Sequence, residues 1–325
     1  MARSDLLINL VKAGSGGDQV GFRRTLEALV AEERGLQHHV IANQLATFLE
    51  PSAQQRGGGS GVAAMPTTLE GLAEQLEPQR RLSDLVLPEL VQSTCAELIE
   101  EQQRADLLRS HALEPRHRLL LLGPPGNGKT SLAEAVAGEL GLPLLRIRYE
   151  AVVGSYLGET ATRLARVLDH ARSRRCVLFF DEFDAVGKAR GDQQETGEIK
   201  RVVNSLLMGI DGLPSYVVVV AATNHGELLD RAVWRRFQVR VELPPPSESD
   251  IATWLARFEG ALGIKLGQVS ASIREQLVGL SFAELEEFCL DVHRRIVLDG
   301  VSAKPSTIAR RLLKVWDERG KLRKT

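Results

Sequence analysis

One stretch of the chain has residue types and spacing suited to holding phosphate groups. Residues 123–130 read GPPGNGKT and directly follow a short apolar run, Leu119–Leu122. Glycines at this spacing let successive backbone N–H groups face one point, and Lys129 brings a cation to the β- and γ-phosphates. Thr130 offers a hydroxyl to Mg²⁺ at the predicted start of a helix. We therefore predict that a nucleoside triphosphate and Mg²⁺ bind at the loop and the first helical residues, which are Pro125, Gly126, Asn127, Gly128, Lys129, Thr130 and Ser131.

A pair of carboxylates follows a second apolar run. Val177–Phe180 is followed by Asp181 and Glu182, and ligands of open parallel sheets bind at the carboxyl ends of the strands. Asp181 is suited to hold Mg²⁺ through a water molecule, and Glu182 to polarise the water that attacks the γ-phosphate. An acidic pair after a strand is by itself more often a turn or a helix start, but the upstream phosphate loop favours the catalytic interpretation. Asn224, at the end of another predicted strand, is suited to hold the water or the γ-phosphate.

Short apolar runs alternate with helical patterns through the middle of the chain, which predicts a mostly parallel sheet with helices on both faces. The predicted strands are Leu119–Leu122, Leu144–Ile147, Val177–Phe180, Val217–Ala222 and Val239–Leu243. After three prolines at 244–246, the predicted elements are the helices Glu248–Leu262, Ala271–Val278, Phe282–Leu298 and Ser306–Arg319. Ser281 and Glu284 fit a capping box at the start of the third helix.

The chain is predicted to have four segments. Residues 1–50 have apolar positions at helical spacing, and we expect a helical N-terminal recruitment module there. Residues 51–67 contain GGGSG at 57–61, a composition typical of a flexible linker. An α/β nucleotide-binding domain is expected over 68–246, followed by a small helical lid domain over 247–325.

Composition narrows the class of protein. In 325 residues, 41 Lys and Arg balance 42 Asp and Glu, so a general nucleic-acid or anionic-membrane binder is not indicated. The longest apolar run, Tyr216–Ala222, is too short to span a bilayer. Three separated cysteines favour reduced thiols over a disulfide or zinc framework. A cytoplasmic protein without a membrane span is expected.

Four segments, taken in chain order, resemble the motifs of the AAA ATPases. They are GPPGNGKT, LFFDEFDAV, AATN and LDRAVWRRF. The resemblance covers Leu82 to Arg319 and is strongest to the protein-remodelling clade of katanin, spastin, Vps4, the proteasomal ATPases and FtsH. It implies a P-loop NTPase fold, ATP and ADP as ligands with Mg²⁺, ATP hydrolysis, and a homo-oligomeric ring, expected to be a hexamer.

The resemblance also implies roles for residues that would otherwise be assigned to the surface. Arg235 and Arg236 match arginine fingers that act on the nucleotide of the neighbouring subunit. Asp84 and Leu85 lie where family members hold adenine through backbone groups, although the two glycines of the family motif are absent here. Ser281–Leu285 resembles the start of the lid helix that lies near the base and ribose.

A further match lies after the second predicted strand. Residues 155–160, SYLGET, resemble the first pore loop of substrate-threading members, with Tyr156 and Leu157 as the residues that grip an extended polypeptide by apolar contact. An isolated tyrosine in a loop is otherwise more often packed or simply exposed.

These observations lead to an ATP-dependent unfoldase or remodelling chaperone whose N-terminal module recruits a protein client or adaptor. One alternative is the unfolding partner of a separately encoded peptidase, because the chain carries no HExxH motif. Another is a nucleotide-switched DNA clamp or loader, supported only by local basic clusters such as residues 172–175 and 319–324.

Overall fold

The structure is a computed structural model, and it describes residue 25 and residues 71–148, 157–184, 205–266, 269–300 and 303–322. The described residues other than Thr25 belong to one compact unit, Ala63–Thr325. Thr25 is helical. The rest of the predicted N-terminal module, and the whole predicted linker, lie outside the described residues.

A six-stranded sheet organises the first part of the unit, in the order β1-β3-β4-β5-β2-β6. The strands are β1 (Ala73–Leu76), β2 (Arg118–Leu122), β3 (Leu144–Ile147), β4 (Cys176–Phe180), β5 (Val217–Thr223) and β6 (Val239–Glu242). All neighbouring pairs are parallel except β1 with β3, which is antiparallel. The five predicted strands are confirmed to within one residue at each end, whereas β1 was not predicted.

Burial on both faces explains why the central parallel strands β2, β4 and β5 read as continuous apolar runs. Along β2, Leu120 packs into the core on one face, while Leu119 and Leu121 pack into the core on the other. The helices that cover the sheet and connect its strands are α1 (Glu89–Gln103), α2 (Ala105–Ser110), α3 (Lys129–Leu140), α4 (Leu157–Arg172) and α5 (Arg231–Arg236), together with helical residues 205–211. This is the predicted P-loop type of α/β sheet.

Four helices follow the sheet and form a separate core. They are α6 (Glu248–Leu262), α7 (Val269–Leu277), α8 (Phe282–Asp299) and α9 (Pro305–Leu322). Their buried side chains, including Ile251, Leu285 and Phe288, cluster together. The predicted capping box is present, since Ser281 accepts a hydrogen bond from the backbone N–H of Glu284 and the Glu284 carboxylate accepts one from that of Ser281.

The three cysteines are buried and unpaired. Burial raises the pKa of Cys95 and Cys289 to about 12 and that of Cys176 to about 11, so these thiols have little thiolate character. Among the described residues, no helix has the length and apolar content needed to cross a membrane.

Candidate functional site

Three adjacent strands end at one cleft. In the sheet, β4, β5 and β2 are neighbours, and their carboxyl ends lead into Asp181, Asn224 and the phosphate loop respectively. A cleft of about 370 Å³ is lined by all three segments. The structure therefore brings together residues that are separated by about a hundred positions in the chain.

The phosphate loop has a backbone that requires glycine. Gly123 has a φ of +138°, and a Cβ there would lie 2.2 Å from the carbonyl oxygen of Leu243. Gly128 has a φ of +82° and is the N-cap of α3, where no side chain caps the helix. The first N–H groups of α3 are therefore left without a side-chain acceptor, which is the arrangement that binds anions at helix starts.

Lys129 is the first residue of α3 and is 7% exposed. Its ammonium group donates to the carbonyl oxygens of Gly123 at 2.7 Å and Pro124 at 2.8 Å. Burial lowers the pKa of Lys129, and the negative charges of Asp181 and Asp184 partly offset this effect. A phosphate group would supply the strong negative partner that loop carbonyls, being uncharged, do not.

The expected magnesium ligands are next to each other. The Thr130 hydroxyl donates to Asp181 Oδ2 at 3.3 Å, which places two hard oxygen donors at the phosphate loop. No group of three or more His, Cys, Asp or Glu side chains is arranged to hold a metal among the described residues. Mg²⁺ commonly takes only one or two protein ligands and completes its shell with water and phosphate oxygens, so Thr130 and Asp181 suit it.

A cation that sequence analysis missed also reaches this carboxylate. Arg146 lies on β3, and its Nη2 is 3.3 Å from Asp181 Oδ2. Within β3 it was part of an apolar run and carried no motif. The contact depends on β3 and β4 being neighbours in the sheet.

Glu182 has an uncommon backbone conformation for a residue with a side chain. Its φ is +49°, a left-handed conformation that costs about 1–2 kcal/mol. The following residues hold the turn in place, because the Phe183 N–H donates to the carbonyl oxygen of Ala222 at 2.8 Å and the Thr223 hydroxyl donates to buried Asp184 at 2.9 Å. Strain of this kind is concentrated at functional sites, and here it leaves the Glu182 carboxylate exposed at the cleft.

Two asparagines complete this end of the cleft. Asn224 is half-buried and lines it. Asn127 is 3% exposed and donates to the carbonyl oxygen of Leu243 at 3.5 Å, while its Oδ1 atom has no hydrogen-bond partner among the described residues. An orphaned acceptor in the loop is compatible with a site that gains a polar partner when a ligand binds.

The cleft lining also includes apolar and aromatic side chains. Asp84 and Leu85 line the cleft, and Phe282 and Ala283 come from the start of α8. The Asp84 carboxylate is already used within the chain, since it accepts from the backbone N–H of Arg81 at 2.7 Å. Its backbone carbonyl accepts from Arg257 at 2.8 Å.

Two further side chains of the cleft lining carry no motif in the sequence. Trp254 of α6 packs against Phe282 with ring centroids 5.7 Å apart, and Glu286 lies one turn after Phe282 on α8. In the sequence they are ordinary members of amphipathic helices. A flat apolar wall beside a carboxylate acceptor is suited to a nucleobase or ribose.

The two predicted arginine fingers have different surroundings in the structure. Arg236 donates to Asp211 at 2.7 Å and to the carbonyl oxygen of Ala232 at 2.9 Å. Arg235, one residue earlier on α5, is exposed and forms no ion pair or hydrogen bond within the described part of the chain. Neither arginine lines the cleft of its own chain. Tyr156 lies outside the described residues, and Leu157 is the first residue of α4.

Comparisons with known proteins identify the family of the chain. Residues 119–245 match the family described as ATPase family associated with various cellular activities (AAA). The chain is 36% identical over 304 residues to an uncharacterized AAA family ATPase, y4kL, of Sinorhizobium fredii, covering 92% of this chain and 91% of that protein.

Other relatives are larger proteins. The ATP-dependent zinc metalloprotease FtsH 3 of Sphaerobacter thermophilus is 34% identical over 72% of this chain, which spans 47% of its length. The peroxisomal ATPase pex6 of Schizosaccharomyces pombe is 42% identical over 62% of this chain, which spans 22% of its length.

The fold has a counterpart among solved structures. The crystal structure of the FIGL-1 AAA domain in complex with ADP has a TM-score of 0.58 and 22% identity, covering 75% of this chain and 86% of that one. On the strength of its similarity to y4kL over 92% of its length and its match to the family model over residues 119–245, the chain belongs to the AAA family of ATPases.

Proposed function

We propose that this chain binds and hydrolyses ATP in the cleft between the sheet and the lid helices, and uses hydrolysis to remodel protein clients as a ring. One observation carries the hydrolysis proposal. Lys129, Asp181, Glu182 and Asn224 line a single cleft at the carboxyl ends of three adjacent strands.

Each of these residues has a distinct task. Lys129 and the N–H groups at the start of α3 hold the phosphates, and Trp254 with Phe282 holds the base. Glu182 accepts a hydrogen bond from the attacking water and orients it, and Asn224 holds that water in line with the γ-phosphate. Thr130 and Asp181 would hold Mg²⁺, which neutralises phosphate charge during displacement.

The ring proposal rests on Arg235. Its guanidinium is exposed on α5 and does not line its own cleft. Because Arg235 also matches the arginine-finger position of the family motif, we assign it to the nucleotide of a neighbouring subunit. An arginine supplied in this way stabilises charge on the transferred phosphoryl group. Hydrolysis would then depend on assembly.

The remodelling proposal has different support. Relatives include FtsH, pex6 and a putative proteasome regulatory subunit homolog, and Tyr156 with Leu157 resembles a threading loop. We propose that these residues grip an extended polypeptide in a central pore, and that the N-terminal module recruits the client.

Paired variants test the hydrolysis proposal. Glu182→Gln should keep ATP affinity while turnover falls by about 10²-fold or more, because the group that polarises water is lost. Glu242→Gln is the matched control, since Glu242 is an exposed carboxylate at the carboxyl end of β6. Lys129→Ala should lose ATP binding, and Lys265→Ala, at an exposed site outside the cleft, should keep it. Normal ATP binding by Lys129→Ala would contradict the site.

Concentration dependence tests the ring. ATP hydrolysis per chain should rise with protein concentration, and the mass of Glu182→Gln with ATP should rise over the same range to that of a ring. Turnover by a monomer at a concentration-independent rate would remove the role of Arg235. Loss of a folded reporter protein that requires both ATP and Tyr156 would support threading, whereas salt-sensitive DNA binding that survives Tyr156→Ala would contradict it.

A further inference from the structure

Two donors share one oxygen of the Asp181 carboxylate. Oδ2 lies 3.3 Å from the Thr130 hydroxyl and 3.3 Å from Arg146 Nη2. The other oxygen, Oδ1, accepts from the backbone N–H of Glu182 at 3.0 Å. Within the described part of the chain, the Asp181 carboxylate thus accepts hydrogen bonds from Thr130, Arg146 and the backbone of Glu182.

The position of Arg146 follows from the sheet. Arg146 pairs in register with Phe179 of β4, and Asp181 follows β4 directly. The arginine thus reaches across from the neighbouring strand at the height of the site. Its side chain is 41% exposed and that of Asp181 is 27% exposed, so water reaches the pair.

A guanidinium and a divalent cation make opposing demands on this carboxylate. Mg²⁺ held by Thr130 and Asp181 needs carboxylate lone pairs, either directly or through one of its waters. Arg146 already donates to Oδ2, and its positive charge lies 3.3 Å from that oxygen. This charge would repel a Mg²⁺ ion at the same carboxylate. Arg146 does not contribute an oxygen ligand of its own.

We propose that Arg146 is a positioning residue that competes with Mg²⁺ for Asp181 and so raises the Mg²⁺ concentration at which the nucleotide site fills. This inference rests on the proposed function. In this arrangement Arg146 and the metal compete for the lone pairs and the negative charge of the Asp181 carboxylate.

Solvent access sets the size of the effect. Ion pairs that are partly exposed contribute little, and a pair of this kind corresponds to about a two- to fivefold change in a competing equilibrium. Arg146 should therefore raise the Mg²⁺ concentration needed for half-maximal nucleotide binding without preventing Mg²⁺ from binding.

The chain offers a matched control in Arg148. It lies two residues further along, directly after β3, and forms an ion pair with Glu74 at 3.5 Å. Its side chain is 52% exposed, close to the value for Arg146. Arg148→Ala removes the same charge from the same segment without touching Asp181.

The experiment measures binding of fluorescently labelled ADP to the full chain during a titration of free Mg²⁺ from an EDTA buffer. In Arg146→Ala and Arg146→Gln, the Mg²⁺ concentration for half-maximal binding should fall by about two- to fivefold, and in Arg148→Ala it should match the wild type. Arg146→Gln keeps most of the side-chain length, so the test survives if the alanine variant folds poorly.

The opposite results would overturn the inference. An unchanged Mg²⁺ midpoint in both Arg146 variants, a higher midpoint, or an equal decrease in Arg148→Ala would each exclude specific competition at Asp181. The proposed function fails separately, by absence of ADP binding in the wild type or by normal binding in Lys129→Ala. If only the Arg146 effect is missing, the nucleotide site stands and the competition does not.

Discussion

The backbone N–H of Ala283 donates a hydrogen bond to the carbonyl oxygen of Gly126 at 2.9 Å. Gly126 belongs to the phosphate loop and Ala283 to the first turn of α8. The first N–H groups of a helix have no intrahelical partner, so the loop satisfies one of them. The phosphate loop is thereby tied directly to the lid helices, and a nucleotide held by the loop would be sensed by α8 without an intermediate residue.

Gly126→Ala should weaken this connection. The φ of Gly126 is +77°, and an added Cβ would lie 2.9 Å from Ser281 Oγ and 3.2 Å from Ala283 Cβ. We expect a loss of about 1 kcal/mol of stability from backbone strain, and a decrease in nucleotide affinity because the loop or α8 must shift. Isothermal titration with ADP measures the second effect.

Gly263→Ala is a control that introduces backbone strain without a new side-chain contact. Gly263 has a φ of +63° at the C-cap of α6 and no neighbour within 4 Å of an added Cβ. The Gly263→Ala variant should lose a similar amount of stability as Gly126→Ala and keep the ADP affinity of the wild type. Equal ADP affinity in the two variants would show that the loop–lid contact does not affect binding.

Arg235→Ala and Arg236→Ala should have different effects on stability. Arg235→Ala should leave stability unchanged and reduce turnover by about 10³-fold, the usual size of an arginine-finger effect. Arg236→Ala should also lower the free energy of unfolding by about 1 kcal/mol, because it breaks a partly buried ion pair with Asp211. Urea unfolding and steady-state turnover measure the two quantities.

Mixed rings test whether Arg235 acts on the neighbouring subunit. Turnover should recover in part when Arg235→Ala subunits are mixed with Lys129→Ala subunits, because each supplies what the other lacks. A variant Arg235→Ala that hydrolyses ATP at the wild-type rate would exclude it as a finger.

Trp254→Ala should lower nucleotide affinity roughly tenfold or more, because stacking of a base on an aromatic ring is worth about 1–3 kcal/mol. Trp254 lines the cleft beside Phe282. Trp254→Phe keeps an aromatic face and should recover most of the affinity. If Trp254→Ala binds ADP as tightly as the wild type, the base does not contact this wall.

Acid should destabilise the fold through His117. This residue, at the start of β2, is 7% exposed. Burial lowers the pKa of His117 most, the charge of Arg118 lowers it further, and the Pro115 carbonyl and Glu114 oppose the shift. The unfolded chain, with a histidine pKa of about 6.5, then binds more protons than the folded chain. The free energy of unfolding should therefore have its full value above that pH, as far as His117 is concerned. It should decrease as the pH falls through that value.

Urea unfolding at pH 7.5 and 5.5 measures this dependence. The pKa of His170 is also lowered, mainly by burial, so among the described histidines both His117 and His170 contribute to the pH dependence of the wild type. His117→Gln should show a smaller decrease between the two pH values. A decrease as large as that of the wild type would exclude His117 as a source.

The central parallel strands β2, β4 and β5 could be predicted because they are buried on both faces and so leave continuous apolar runs. The missed strand, β1, reads AEQL and, among the described strands, pairs with β3 at one edge of the sheet. The strand at the other edge, β6, reads VRVE and alternates buried and exposed residues, so its period of two marks it as a strand. AEQL carries neither this alternation nor an apolar run.

The same distinction applies to the site. Lys129, Thr130, Asp181 and Glu182 could be assigned from the sequence because phosphate and magnesium chemistry constrains residue type within a few positions. Arg146 and Trp254 could not. The contact of Arg146 with Asp181 depends on strand order, and the place of Trp254 at the cleft depends on where α6 packs.

By itself, the sequence determined the phosphate loop, the acidic pair and the buried strands, because these depend on neighbours along the chain. Only the tertiary structure decided that Arg146 reaches Asp181, that Ala283 is bonded to Gly126, and that Arg236 is paired while Arg235 is exposed. Such relationships depend on crossover connections that bring distant segments to one edge of the sheet, and residue spacing does not encode those connections.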